Sequence, residues 1–308
     1  MTVLLTGGNG FIGRHCIPKL LDRGYDVCAV SSQARRASDV DWRQVDLLDA
    51  GAMRAVIASV RPTHLLHMAW VTTPGAYWTS NENLQWLAAS LQLLEEFRHA
   101  GGARVVAAGT CAEYDWSSGV CSEATTPLRP ATLYGTCKHA LQEVLQAFGR
   151  QNGLSSAWGR VFFTYGPHEH PARLVPSVVG RLLTGTPVPC TDGRQRRDFL
   201  FVEDVADAFV CLLASKVSGA VNIASGIPVT VHDLVRGIAS RLDGEALLRF
   251  GARPAAPGDP DTLSADVTRL RDELGWTPQY SLGRGLDVTI DWWRQQVASG
   301  LISPAVFC

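Results

Sequence analysis

The sequence predicts an α/β fold built on a parallel sheet, with a smaller lobe made from separate C-terminal segments. Strand-like and helix-like segments alternate through the first half of the chain, as they do when helices connect parallel strands. A glycine-rich turn joins the first strand to the first helix, and later strands end in small or polar residues. Ligands of such sheets bind where the strands end. Together these features predict a doubly wound sheet of the Rossmann type.

The glycine-rich turn follows the apolar residues 3–5 and precedes a helix predicted over 14–23. Gly7 permits a tight turn, Gly10 lets the backbone approach a pyrophosphate, and Gly13 lets the helix pack closely on the strand. The free N–H groups at the start of that helix would face the phosphates. The turn therefore predicts dinucleotide binding.

The second predicted strand, Asp26–Ser31, ends where many NAD-binding folds carry an acid for the ribose hydroxyls. Here Ser31 holds that place, and Arg35 and Arg36 follow it. Hydroxyl and guanidinium groups would bind a 2′-phosphate, whereas a carboxylate would repel it. The segment favours NADP over NAD. A solvated loop that binds no ligand is the alternative for the two arginines.

The next elements continue the alternation. They are a strand at 44–49, a helix at 50–60, a strand within 62–70, a helix at 81–100 and a strand at 104–110. Ala69 and Thr110 end two of these strands. We therefore expect both residues at the edge of the sheet that also holds the glycine turn.

A helix from Thr132 to about Arg150 and a strand at 158–163 complete the alternating part. Prolines interrupt the pattern from Gly166 onward, and 220–223 is predicted to return to the main sheet. The predicted boundaries are 1–165 with a return over about 196–226 for the Rossmann domain, and 166–195 with 227–308 for the smaller substrate-binding lobe.

Composition argues against several other classes of protein. The net charge is −1 and charges of both signs are mixed along the chain, so no nucleic-acid partner is expected. Apolar runs are shorter than the roughly 20 residues of a membrane span. Met1 directly precedes the first strand, so we expect a cytoplasmic protein without a signal peptide or membrane segment. The 8 cysteines form no C-x-x-C pair, and no metal site is expected.

Tyr134 and Lys138 are four residues apart on a predicted helix, so their side chains share one face. A free tyrosine has a pKa of about 10. A nearby ammonium group stabilises the phenolate and lowers that pKa. The pair is therefore a candidate for proton transfer, with Thr110 at a strand end as a third member.

These motifs, in this order, resemble the extended short-chain dehydrogenase/reductase family, and within it the nucleotide-sugar epimerases, dehydratases and 4-ketoreductases. The matching segments are Thr6–Gly13 for the cofactor turn, Asp46–Asp49 for D-L-x-D, His67–Ala69 for H-x-A, Thr110 with Tyr114, Tyr134 with Lys138, Tyr165–Pro167 for Y-G-P, Arg197–Ala206 for R-D-[FY]-x-x-V-x-D-V-A, and Pro257–Asp259, Ala265–Asp266 and Leu274–Trp276 for the C-terminal signature. The resemblance covers nearly the whole chain.

The resemblance implies a role for each matching position. The implied catalytic residues are Thr110, Tyr134 and Lys138. The implied cofactor-binding residues are Gly7, Gly10, Phe11, Ile12, Gly13, Ser31, Arg35, Arg36, Asp46, Leu47, Ala69 and Lys138. The implied substrate-binding residues are Trp70, Cys111, Phe163, Arg173, Arg197 and Arg253. For Arg197, a structural ion pair with Asp204 or Asp207 is the alternative.

Departures from the family pattern narrow the reaction. The dehydratases of the family place carboxylates directly after the catalytic Thr, where this chain has Cys111 and Ala112. A related 3,5-epimerase type needs a Cys and a His at the places of Ala112 and Arg173. Neither reaction is therefore expected. The segment His168–His170 predicts a polar pocket rim, with solvated loop histidines as the alternative.

The resulting functional expectation is an NADPH-dependent reduction of the C4 keto group of a nucleotide-diphospho-4-keto-6-deoxyhexose, with Tyr134 as proton donor. The first alternative is a nucleotide-sugar 4-epimerase that uses the same residues with tightly held NAD. An alternative of another class is a sensor or scaffold that binds NADP without catalysis. The resemblance also implies a homodimer that pairs the helices near Leu84–Leu94 and Tyr134–Phe148 in a four-helix bundle.

Overall fold

The structure is a computed structural model that describes residues 1–33, 40–256 and 258–307. Arg35 and Arg36, for which a role beside the cofactor is predicted, lie outside these ranges.

Fifteen strands and eight α-helices make up the described fold. The strands are β1 (Thr2–Thr6), β2 (Asp26–Ser31), β3 (Asp41–Gln44), β4 (His64–His67), β5 (Arg104–Thr110), β6 (Val120–Cys121), β7 (Ser155–Val161), β8 (Phe163–Tyr165), β9 (Val188–Pro189), β10 (Arg196–Arg197), β11 (Phe199–Phe201), β12 (Gly219–Ile223), β13 (Val229–Thr230), β14 (Leu248–Arg249) and β15 (Thr262–Ala265). The helices are α1 (Gly13–Asp22), α2 (Ala50–Val60), α3 (Glu82–His99), α4 (Leu133–Asn152), α5 (Leu174–Leu183), α6 (Val202–Ala214), α7 (Val231–Ser240) and α8 (Leu282–Ala298).

A seven-stranded sheet forms the centre of the molecule, in the order β12-β7-β5-β4-β1-β2-β3. All six neighbouring pairs are parallel. The chain leaves β1 toward β2 and β3 on one side, and later returns to β4 and β5 on the other side. This reversal leaves a crevice at the carboxyl ends of β1 and β4, where ligands of doubly wound sheets bind. The predicted fold class is confirmed.

Helices cover both faces of the central sheet. Neighbouring residues of β1 point to opposite faces, and each of them packs against different helices. Leu4 belongs to the apolar cluster that includes Leu93 of α3 and Leu141 of α4. Leu5 belongs to the cluster on the opposite face, with Phe209 of α6. Both strand residues are fully buried, which explains why the strand pattern is a continuous apolar run.

A third apolar cluster forms beyond the sheet, where α5, α7 and α8 pack together. Its fully buried members include Val179, Ile238 and Trp293. Beside it, β13, β10, β15 and β6 form a separate four-stranded sheet. The boundary at 227 stays a prediction. Trp276, which lies beyond that boundary, packs in the same cluster as Leu5, on a face of the central sheet.

The third strand lies earlier than predicted, at Asp41–Gln44 instead of 44–49. Side-chain hydrogen bonds explain the difference, because such bonds let a turn compete with a strand. Asp46 Oδ1 accepts a hydrogen bond from the Leu48 N–H at 3.0 Å. Asp49 Oδ1 accepts from the N–H groups of residues 51 and 52, so Asp49 caps helix α2.

Candidate active site

A cavity of about 1220 Å³ opens at the carboxyl ends of the central strands and continues between the sheet and the third cluster. Every predicted site residue within the described ranges borders it. These residues are Gly7, Gly10, Phe11, Ile12, Gly13, Ser31, Asp46, Leu47, Ala69, Trp70, Thr110, Cys111, Tyr134, Lys138, Phe163, Arg173, Arg197 and Arg253. The fold therefore brings the predicted cofactor, catalytic and substrate residues to one cavity, while their individual roles stay predictions.

The glycine turn leaves no room for side chains between β1, β4 and α1. Gly7 has a φ of +69°, and a Cβ there would lie 2.8 Å from the backbone nitrogen of Ala69. A Cβ at Gly13 would overlap the Gly7 carbonyl oxygen. The N–H of Gly10 closes the turn by donating to that same oxygen at 2.8 Å. This bare backbone at the start of a helix fits the pyrophosphate of a dinucleotide.

A chain of buried hydrogen bonds lies behind the turn. Thr6 Oγ1 accepts from the N–H groups of residues 68 and 69, so its own hydrogen points to His67 Nδ1 at 2.7 Å. His67 Nε2 lies 2.9 Å from Ser90 Oγ, whose hydroxyl donates to the Trp86 carbonyl at 2.7 Å. Burial lowers the pKa of His67 to about 3, and the nearby Lys138 ammonium contributes to the lowering. His67 is thus a neutral connector between β4 and α3.

At the end of β2, Ser31 borders the cavity in the place of the usual acid. Its hydroxyl accepts from the Gln33 N–H at 3.1 Å, and Gln33 Oε1 in turn accepts from the Asn9 amide at 3.3 Å. Asp46 and Leu47 border the same region. The described part of this wall therefore presents neutral groups at the end of β2, with Asp46 exposed beside them.

Thr110, Tyr134 and Lys138 lie together at the opposite end of the cavity. Lys138 Nζ donates to the Ala108 carbonyl at 2.9 Å and lies 4.0 Å from the centre of the Trp70 ring. Burial lowers the pKa of Lys138 to about 7. Burial also raises the pKa of Tyr134, although a hydrogen bond with the Thr110 side chain opposes the shift. The net direction for Tyr134 is opposite to the one expected from the Lys138 ammonium alone, so its phenol stays protonated at neutral pH.

Glu113 is a buried carboxylate that holds the backbone at Thr110. Its carboxylate accepts from the Thr110 N–H at 2.8 Å, from Trp158 Nε1 at 2.9 Å and from Arg160 Nε at 2.7 Å. Glu113 is fully buried and Arg160 is 1% exposed. The Glu113–Arg160 pair fixes the backbone at the end of β5. The sequence did not predict this role, because Glu113 lies three residues after Thr110 and outside the motif.

Aromatic side chains form the wall next to Tyr134. The rings of Tyr77 and Trp78 meet the Tyr134 ring edge-on, at centroid distances of 4.9 Å and 5.7 Å. Both residues border the cavity. Neither residue was among the predicted site residues. The sequence feature that could have indicated them is the pair of consecutive aromatic residues in the loop after β4.

The predicted substrate arginines all border the cavity. Arg173 lies over the Tyr77 ring at 5.1 Å. Arg197 is 4% exposed and pairs with Asp259 at 2.6 Å, so the suggested pairing with Asp204 or Asp207 is wrong. Cys111 is buried, and burial raises the pKa of its thiol, which makes it unreactive.

Within 1–33, 40–256 and 258–307, no cluster of three or more His, Cys, Asp or Glu side chains could hold a metal ion. Over the same ranges, no helix has the length and apolar character that a bilayer crossing requires.

A doubly wound parallel sheet, a bare glycine turn and a Thr–Tyr–Lys set in one cavity define an oxidoreductase-type enzyme of the extended short-chain dehydrogenase/reductase group. The chain belongs to the NAD dependent epimerase/dehydratase family, whose model matches residues 3–224.

Two of the relatives in sequence illustrate two reaction types. The chain is 27% identical to a dTDP-glucose 4,6-dehydratase of Xanthomonas campestris pv. campestris (strain B100), over 97% of this chain and 96% of the relative. It is 28% identical to a UDP-glucose 4-epimerase of Erwinia amylovora, over 96% of this chain and 98% of the relative. In structure it resembles the UDP-glucose 4-epimerase of Thermus thermophilus in complex with NAD, with a TM-score of 0.84, 29% identity and coverage of 96% and 100% of the two chains.

These relatives agree with the predicted family and with the epimerase alternative. The preferred expectation of a 4-ketoreductase is not confirmed by them, nor is the preference for NADP over NAD, since the Thermus thermophilus epimerase is in complex with NAD.

Proposed function

We propose that this protein is a nucleotide-sugar 4-epimerase that holds NAD in the glycine turn. The observation that best supports this proposal concerns the reacting end of the cavity. Thr110, Tyr134 and Lys138 lie together there, and the two residues directly after Thr110 are Cys111 and Ala112, which carry no carboxylate. A dehydration at C5 and C6 needs carboxyl groups at those two places, whereas inversion at C4 needs only hydride and proton transfer. The UDP-glucose 4-epimerases among the relatives support the same choice.

When bound, NAD supplies a reversible hydride acceptor for the sugar C4. As the phenolate, Tyr134 would take the proton of the C4 hydroxyl while the C–H bond breaks, and would return it to the C4 oxygen after the keto sugar has rotated to present its other face. Thr110 would hold the same oxygen through its hydroxyl. Because its raised pKa keeps Tyr134 protonated, the phenol would first pass its proton to Lys138, whose pKa of about 7 leaves the amine partly neutral at neutral pH. The net reaction is an isomerisation and consumes no external reductant.

The test is conversion of UDP-glucose to UDP-galactose, followed by chromatography without added cofactor, together with mass spectrometry of the cofactor released on denaturation. We expect NAD in the purified protein. Tyr134→Phe should lower turnover by about 10²–10⁴-fold, the usual contribution of a positioned acid–base group. Tyr280→Phe is the matched control, because Tyr280 is partly exposed and its hydroxyl bonds Glu203 outside the cavity. Equal turnover in both variants would contradict the proposal.

The second candidate is the NADPH-dependent 4-keto reduction, and two observations favour it. Ser31 leaves the end of β2 without a carboxylate that would repel a 2′-phosphate. The raised pKa of Tyr134 suits a proton donor. Oxidation of NADPH by a dTDP-4-keto-6-deoxyglucose, measured by the loss of NADPH absorbance on protein that releases no NAD, would establish this candidate over the epimerase.

Two further proposals concern the setting of the enzyme. A homodimer through α3 and α4 is supported by Leu84 and Val144, which are 54% and 43% exposed on those helices. A single-chain mass in light scattering would refute it. A cytoplasmic location remains the expectation from composition.

A further inference from the structure

Glu169 is a buried carboxyl that the reaction described above does not use. The residue is 8% exposed, and it borders the cavity. Its Oε2 atom is buried and has no hydrogen-bond partner among the described residues. A hydrogen bond from the Gly166 backbone holds the carboxyl, and it lies close enough to Arg173 to feel its charge.

Thr164, five residues earlier in the chain, carries a second unpaired oxygen. Its Oγ1 is buried without a partner within the described ranges, and the residue borders the same cavity. Thr164 lies in β8, whose pairing with β11 fixes its direction. Two unpaired buried oxygens five residues apart, both in residues that border the cavity, are unusual, because buried polar groups in proteins are nearly always hydrogen-bonded.

The turn that carries Glu169 contacts the first helix on one side and the aromatic residues beside Tyr134 on the other. The Pro167 carbonyl lies 3.3 Å from His15 Nε2 on α1, the helix that follows the glycine turn. On the other side Arg173 lies over the Tyr77 ring, and Tyr77 meets Tyr134. The turn from Gly166 to Arg173 thus lies between the cofactor turn and the reacting end.

An unpaired buried oxygen costs stability, so its retention on a cavity wall indicates a partner that arrives with a ligand. Burial raises the pKa of Glu169 well above its ordinary value, even though Arg173 opposes the shift. A neutral carboxyl both donates and accepts, as a hydroxyl does. A neutral Glu169 carboxyl together with the Thr164 hydroxyl would hydrogen-bond an uncharged group of the ligand and would not attract a cation.

We propose that Glu169 and Thr164 form a polar subsite that binds an uncharged donor–acceptor group of the bound ligands, with Glu169 as a specificity-determining residue. This rests on the proposed use of the cavity for NAD and a nucleotide sugar. Two sources have the required chemistry, which are a hydroxyl of the sugar and the carboxamide of nicotinamide.

Calorimetric titration of four probes separates the two sources. UDP-glucose is compared with UDP, which lacks the sugar, and NAD is compared with ADP-ribose, which lacks nicotinamide. If the sugar occupies the subsite, Glu169→Met weakens UDP-glucose by about tenfold and leaves UDP unchanged. If nicotinamide occupies it, the same variant weakens NAD by about tenfold and leaves ADP-ribose unchanged.

Two controls make the result specific. Glu169→Gln keeps a donor and an acceptor without a titratable proton, so its affinities should stay within about threefold of the native values. Urea unfolding checks that Glu169→Met is folded, because the variant removes a buried carboxyl with one unpaired oxygen and also its hydrogen bond from the Gly166 backbone. Unchanged affinities of all four probes in a folded Glu169→Met protein overturn the proposal, as do equal losses in both variants. Because these titrations need no turnover, a failure of the epimerase reaction would be seen separately.

Discussion

The buried ammonium of Lys138 makes the stability of this protein depend on pH in a calculable direction. The unfolded chain holds the proton of Lys138 up to a pKa of 10.5, while burial lowers the folded value to about 7. Between those values the unfolded state binds more protons, so the free energy of unfolding rises with pH. From about pH 6 to about pH 9 the gain from this one group is about 2.5 kcal/mol.

Urea unfolding at about pH 6, 7.5 and 9, followed by tryptophan fluorescence, measures this gain against the Lys138→Met variant. Met keeps the length of the side chain but carries no proton, so other titrating groups cancel in the difference between the two proteins. The native protein should therefore gain about 2–3 kcal/mol relative to the variant as the pH rises. A difference that stays constant across the pH range would refute the argument and place the Lys138 pKa near its ordinary value.

Three further predictions concern stability, each with urea unfolding as the measurement. Gly13→Ala should lose about 1–3 kcal/mol, because the new Cβ overlaps the Gly7 carbonyl, while the same change at Gly51, which has space in α2, should cost nothing. Glu113→Gln should lose about 3–5 kcal/mol, because it leaves the buried Arg160 guanidinium without a counter-charge. Glu96→Gln should lose only about 0.2–1 kcal/mol, because its partner Arg54 is 67% exposed. Similar losses in the two variants would refute the role of burial. Acidification from about pH 7 to about pH 5 should cost the native protein about 2 kcal/mol more than His67→Gln, since unfolded histidine takes up a proton that the folded site, with a pKa of about 3, excludes.

The sequence predicts the order of elements well because the central strands are buried on both faces and their helices are amphipathic. Strands β2 and β5 and helix α2 have the predicted bounds. The predicted bounds of the third strand were wrong, because the acidic residues after it form turn and helix-cap hydrogen bonds with their side chains. Such competition depends on local geometry that a hydrophobic pattern does not contain.

The site was predicted where a motif fixes backbone position, and missed where the contact comes from a distant segment. The glycine turn and the Thr110–Tyr134–Lys138 set illustrate the first case. The aromatic contact of Tyr77 with Tyr134 and the burial of Glu169 illustrate the second, since each depends on packing between separate loops. The predicted direction of the Tyr134 pKa shift was wrong for the same reason, because the i, i+4 spacing that pairs Tyr134 with Lys138 does not show how far burial desolvates the phenol.

The hydrogen-bond chain behind the glycine turn has a fixed polarity. Two backbone donors saturate Thr6 Oγ1, so every hydrogen along the chain points from β1 through His67 and Ser90 to the Trp86 carbonyl. The imidazole is therefore confined to a single tautomer, with its proton on Nε2 and a bare Nδ1. In nitrogen-15 NMR spectra these two ring nitrogens should give widely separated resonances that do not exchange. The histidine thus reports, from inside the protein, whether the strand that ends in the glycine turn keeps its alignment with α3.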